Sequence, residues 1–113
     1  MLTIYHNPRC RKSRETLNII EDSGAMVEVV EYLKTPPAKG DLKRIVEKLG
    51  IKPEDLIRKG ETVYKEKYKG KSLTDDEWID AMEENPILIE RPIVVKGDTA
   101  VIGRPPENVK DLL

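Results

Sequence analysis

The sequence predicts an α/β protein: a four-stranded mixed sheet with an inserted helical subdomain. Three observations predict it. Between Leu2 and Tyr32 an apolar run, a helix-period stretch and a β-branched run follow one another. That is a strand–helix–strand unit, so its two strands should be parallel with a right-handed crossover. From about Pro36 to Glu84 the apolar residues recur at helical spacing. Near the end, Ile93-Val94-Val95 and Ala100-Val101-Ile102 flank Lys96-Gly97-Asp98-Thr99. Glycine at the first central position suits a type II′ hairpin turn.

Each element has a local cause. Leu2 to Tyr5 reads as the first strand, Glu15 to Asp22 as a helix with Leu17 and Ile20 on one face, and Gly24 as its stop. Val27 to Tyr32 is rich in β-branched residues and reads as the second strand. Thr35-Pro36-Pro37 breaks the chain. Leu42, Ile45, Val46 and Leu49 lie at i, i+3, i+4 and i+7, which predicts a helix over Gly40 to Leu49 that Gly50 ends. Pro53 opens a short helix toward Arg58, and Glu61 to Tyr68 forms another. Thr74-Asp75-Asp76-Glu77 is a capping box ahead of a helix that ends before Asn85-Pro86. After the hairpin, Gly103-Arg104-Pro105-Pro106 turns into a terminal helix over Glu107 to Leu113.

Composition narrows the classes of function. The chain has 113 residues, the size of one domain, and one is expected over 1–113 with the helical insertion at about 36–84. Twenty basic residues offset 21 acidic ones, and a net charge of −1 gives no global attraction to nucleic acid. No signal peptide and no apolar run near ~18 residues is visible, so a cytoplasmic protein without a membrane segment is expected. One cysteine and one histidine leave no internal disulfide and no plausible metal set. Nothing in the sequence requires a dimer, so a monomer is expected.

The chemistry concentrates in His6-Asn7-Pro8-Arg9-Cys10-Arg11-Lys12-Ser13-Arg14, a strand-to-helix turn. A thiol at a helix start sees unsatisfied N–H groups and the positive end of the helix dipole. Arg9, Arg11, Lys12 and Arg14 lie within four residues of Cys10. Both effects favour thiolate, and such settings lower a cysteine pKa from about 8.5 to roughly 3.5–7.5. The same groups would hold an oxyanion. A cysteine flanked by cations and proline is not an ordinary core residue. A protonated His6 would stabilise the thiolate electrostatically. Arg91 and Arg104 each precede a proline, which restrains their backbones, and guanidinium binds tetrahedral oxyanions through two donors.

The order of elements is that of a thioredoxin-like domain, a likeness that implies the strand order second, first, third, fourth, and five motifs narrow it further. The chain resembles the glutaredoxin-dependent arsenate reductases along essentially its whole length. The resemblance rests on His6-Asn7-Pro8-x-Cys10-x-x-Ser13-Arg14, Tyr32-Leu33-x-Thr35-Pro36-Pro37, Leu56-Ile57-Arg58-Lys59, Asn85-Pro86-Ile87-Leu88-Ile89-x-Arg91-Pro92-Ile93-Val94 and Arg104-Pro105. It implies that Cys10 is the nucleophile toward arsenate and that His6 sets its ionisation. Arg58, Arg91, Arg104 and Ser13 would hold the substrate, and the Arg91-Pro92 bond would be cis and face Cys10. Arg11 departs from the small residue that often follows this cysteine in the family. The resemblance implies no bound cofactor. Because one thiol cannot supply both electrons and be restored, glutathione as co-substrate and glutaredoxin as partner are expected.

Three other readings compete with this one. A phosphotyrosine-type phosphatase needs Cys-x5-Arg, and Thr16 stands where that arginine would be. A redox-responsive regulator binding RNA polymerase often switches through Cys-x-x-Cys, and Ser13 replaces the second cysteine. A glutathione-dependent thiol reductase of the same fold would share Cys10, and only the arginine set argues against it.

Overall fold

Strand β1 (Leu2–His6) buries Leu2, Ile4 and His6 on one face, as the period of two demands. This computed structural model describes all 113 residues. Helix α1 (Arg11–Asp22) turns Ser13, Thr16 and Ile20 inward, at i, i+3 and i+7. It ends where Gly24 takes the left-handed conformation, φ 79°. Strand β2 (Val27–Glu31) returns parallel to β1, pairing Leu2 with Val27 through His6 with Glu31. Strands β3 (Ile93–Lys96) and β4 (Thr99–Ile102) form the expected hairpin. Gly97 has φ 58° and no non-glycine residue has a positive φ, so the turn is type II′. Strand β3 pairs antiparallel with β1, which gives the predicted order β2-β1-β3-β4.

The chain divides into two compact units, Met1–Thr35 with Arg91–Leu113, and Pro36–Glu90. The first holds the sheet. Its core joins Leu2, Ile4 and Val94 from the sheet to Ile20 of α1 and to Val109 and Leu112 of the last segment. Fully burying each such side chain contributes about 1.5–3 kcal/mol. The predicted terminal helix is a run of 3₁₀ turns over Pro106–Leu112.

The second unit packs α2 (Lys39–Leu49), α3 (Thr62–Lys67) and α4 (Asp75–Glu84) with 3₁₀ turns at Pro53–Leu56 and Pro86–Leu88. Thr74 caps α4 as predicted: its Oγ1 accepts from the Glu77 N–H, and the Glu77 carboxylate accepts from the Thr74 N–H. Tyr64 and Tyr68 lie against buried Trp78, with ring centroids 6.3 and 6.1 Å away. This unit runs to Glu90 and not to Glu84 because the apolar run Ile87-Leu88-Ile89 pairs back onto it. Ile89 bridges Ile57, the Arg58 N–H donates to Leu88 O at 2.7 Å, and the Glu90 N–H donates to Leu56 O at 2.9 Å.

Candidate active site

Topology brings distant residues to one end of the sheet. Tyr5, Ile93 and Ile102 lie in one row across β1, β3 and β4. Cys10 follows the end of β1, Arg91 precedes β3, and Arg104 follows β4. Because β3 runs antiparallel to β1 and β4 runs back antiparallel to β3, all three fall at the same end of the sheet.

Cys10 is the N-cap of α1, with extended backbone at φ −92° and ψ 122°. The turn before it is fixed by Asn7: its carbonyl accepts from the Cys10 N–H at 2.9 Å and its Oδ1 from the Arg9 N–H at 3.0 Å. Such self-capping is what an Asn-Pro sequence supplies, a signal the sequence reading passed over. The thiol is nearly buried, at 9% exposure. Burial pushes its pKa up, the largest single influence. Against it act the Ser13 backbone N–H, a hydrogen bond from Arg91, and the charges of Arg91 and Arg104. The lowering influences win together, and the thiol sits below its ordinary pKa.

The cations that matter are therefore the distant ones. Arg104 Nη2 donates to Cys10 Sγ at 3.5 Å, while its Nε donates to the Arg91 carbonyl at 2.7 Å. The peptide bonds Arg91-Pro92 and Arg104-Pro105 are both cis. The cations local in sequence point elsewhere. Arg11 pairs with Glu15 at 2.8 Å, Arg14 donates to Pro8 O at 2.9 Å, and Arg9 and Lys12 are exposed. Chain proximity is a poor guide here because a helix start turns successive side chains around its axis.

His6 and Ser13 meet because both face the interior, one from β1 and one from α1. His6 Nδ1 and Ser13 Oγ are 2.6 Å apart, and the same Oγ accepts from the Asn7 N–H at 3.0 Å. Burial is the main reason the His6 pKa falls below the ordinary value; Glu31 opposes this, and Arg14 adds to it. The imidazole is thus neutral near pH 7 and cannot be the cation expected beside the thiolate. Ser13, expected at the substrate, is fully buried with its hydroxyl committed to His6 and Asn7. Both serve to hold the turn that carries Cys10.

Arg58 lies in the second unit. Its Nε meets Glu61 at 3.1 Å and its Nη1 meets Glu90 at 3.0 Å, so two carboxylates of that unit neutralise it. Thus Cys10, Arg91 and Arg104 come together, with His6 and Ser13 beneath, while Arg58 is held by its own neighbours. No group of three or more His, Cys, Asp or Glu is arranged to hold a metal. No helix is long and apolar enough to cross a membrane.

Comparison with known proteins adds a family. The model of the ArsC family matches residues 5–112. YfgD of Escherichia coli K12, described as an uncharacterized protein, is 47% identical over 97% of this chain and 94% of its own. A protein named arsenate reductase in Neisseria meningitidis serogroup A is 41% identical over 99% of this chain and 97% of its own. The solved arsenate reductase from Vibrio cholerae has a TM-score of 0.95 and 47% identity, covering 99% of this chain and 97% of that one.

Proposed function

Because this chain belongs to the ArsC family, we propose that it is an arsenate reductase in which the Cys10 thiolate attacks arsenic and external thiols supply the electrons. The observation that carries this reading is the convergence of Arg91 and Arg104 on a lone thiol whose pKa is already lowered. Two fixed guanidinium groups beside a nucleophile suit a multiply charged tetrahedral anion, which must be held while a second anion approaches it. A disulfide substrate carries no such charge at its reacting atoms and would need neither there.

In this reading Cys10 forms one S–As bond as one As–O bond breaks, and the leaving hydroxide takes up a proton to become water. No oxidation state changes in that step. Taking arsenic from +5 to +3 needs two electrons, and this chain has no second cysteine. Glutathione forms a second S–As bond as another As–O bond breaks and that oxygen leaves as water. A glutaredoxin thiol then attacks the glutathione sulfur, the electron pair of its S–As bond stays on arsenic, now +3, and the mixed disulfide leaves. Water finally displaces the Cys10 sulfur from arsenic. Two thiols enter, one disulfide and arsenite leave, and Cys10 returns as thiolate. No bound cofactor is called for. Arg91 and Arg104 turn from the sulfur to the arsenate oxygens. Arg58, the third arginine the resemblance implies, is paired with Glu61 and Glu90 of its own unit.

The test is arsenite release by the purified protein with glutathione and glutaredoxin, against Cys10→Ser. Arsenite formation abolished by the substitution is the expected result. Reduction of a glutathione mixed disulfide with no arsenite formed would return the chain to the thiol-reductase reading.

A further inference from the structure

Gly103 is buried, yet its φ lies outside the left-handed region, so backbone freedom is not what the position needs from glycine. What it needs is space. A Cβ there would stand 2.5 Å from Thr16 Oγ1, 3.1 Å from Thr16 Cγ2 and 2.8 Å from Pro92 Cγ. Neither neighbour can yield easily. Thr16 is fully buried in α1 with its hydroxyl on Lys12 O at 2.8 Å, and Pro92 is a buried ring. Two hydrogen bonds pin the glycine itself: its N–H donates to Pro92 O at 2.9 Å, and the Arg104 N–H donates to Ile102 O at 2.9 Å, closing a three-residue turn around it. From the other side, the Asn108 amide donates to Ile102 O at 3.2 Å and Arg104 O at 3.1 Å.

We infer that Gly103 is a positioning residue for the arginine pair: its missing side chain lets the end of β4 close against Thr16 and Pro92, and that three-way contact sets where Arg91 and Arg104 meet the Cys10 sulfur. The chain of contacts is short. Gly103 is bonded to Arg104 and hydrogen-bonded to Pro92, which follows Arg91. Arg104 Nε takes its place from the Arg91 carbonyl at 2.7 Å, and its Nη2 reaches Sγ at 3.5 Å. A methyl group at residue 103 must push the β4 end away from α1, which carries Cys10 at its N-terminus. Packed interiors do not absorb such an intrusion without shifting neighbours. A displacement of about 1 Å is enough to break a donor's aim at a 3.5 Å contact.

This inference rests on the functional reading only for its effect on arsenate; its effect on the thiol stands alone. The test is the pH dependence of Cys10 alkylation by neutral iodoacetamide in Gly103→Ala, in Thr16→Ala and in the double variant, with circular dichroism and a thermal midpoint for each. Gly103→Ala should move the alkylation midpoint upward by at least half a pH unit and lower kcat/KM for arsenate by tenfold or more. Thr16→Ala alone should leave the midpoint near the wild-type value. The double variant should recover part of both losses, because two of the three close contacts are gone. A folded Gly103→Ala with the wild-type midpoint overturns the inference. So does a shift that Thr16→Ala does not reverse in any part, or failure of both Gly103 variants to fold, which would make the contact a requirement of folding and not of aim. If no variant and no wild-type protein reduces arsenate while the midpoints move as stated, the positioning role stands and the arsenate reading falls.

Discussion

Replacing Arg104 by alanine should raise the pKa of Cys10 by about one unit. The guanidinium Nη2 lies 3.5 Å from the sulfur. Opposite unit charges at that separation attract by about 1.2 kcal/mol in bulk water and by several times that at an effective dielectric of ~20. Arg104 is exposed, so the water value governs. At about 1.4 kcal/mol per unit, that is roughly 0.9 of a pKa unit. The sign follows from the charge: removing a cation destabilises the thiolate and not the thiol. Below the midpoint the thiolate fraction then falls by up to about tenfold, and alkylation by neutral iodoacetamide slows in proportion. Arg104→Lys keeps a charge but loses the Nε donation to the Arg91 carbonyl that aims it, so it should recover only part. Rate against pH from 4 to 10 gives the midpoint for each variant. A midpoint for Arg104→Ala within about 0.2 of wild type would refute the reasoning, because the guanidinium would then not be sensed by the sulfur.

Arg91→Ala should slow arsenite formation by about 100-fold or more, the usual loss when one preorganised donor is taken from developing charge; a normal kcat/KM would remove Arg91 from the substrate site. His6 has a lowered pKa in the folded protein, so below the ordinary histidine value the unfolded chain binds more protons. Stability should be intact above about pH 6.5 and fall as pH drops below it. Urea midpoints at pH 5 and 7 measure that slope, which His6→Gln should flatten; equal slopes would exclude burial of a neutral imidazole. Arg58→Ala should cost about 1–2 kcal/mol in chemical denaturation, since it leaves Glu61 and Glu90 without their shared cation. An unchanged midpoint would show that the two pairs contribute nothing to the fold.

The elements were legible because their signals are local. Gly97 at the first central position gives the hairpin, Thr74 with Glu77 gives the cap of α4, and the run from Leu2 to Tyr32 gives the parallel pair β1 and β2. The less legible parts depend on what an element packs against. The start of α1 is one: Arg11 to Arg14 carry no apolar pattern, so the helix reads as beginning near Glu15. In the fold it begins at Arg11, because Ser13 and Thr16 bury as polar residues with their hydroxyls satisfied by His6, Asn7 and Lys12. The return of Ile87-Leu88-Ile89 onto its own unit is another, since an apolar run does not say which partner it pairs with.

The site shows the same division. A cysteine at a strand-to-helix turn is readable from a few residues, and its lowered pKa follows from that place. The origin of the charge does not. Sequence counting puts four cations around Cys10, but the helix start sends Arg11 to Glu15 and Arg14 to Pro8. The guanidinium groups that act on the sulfur come from Arg91 and Arg104, and only the sheet order explains why. Reversing one strand of the hairpin would carry Arg104 to the opposite edge of the sheet, about four residues of strand away, or roughly 13 Å. Beyond one Debye length of about 8–10 Å an exposed charge is largely screened. The nucleophile and the Ser13 amide that lowers its pKa are thus set by local sequence, and the two cations beside it by β3 running antiparallel to β1 and β4 running back along β3. That is also why a methyl group at Gly103, which touches neither thiol nor substrate, is expected to change how Cys10 titrates.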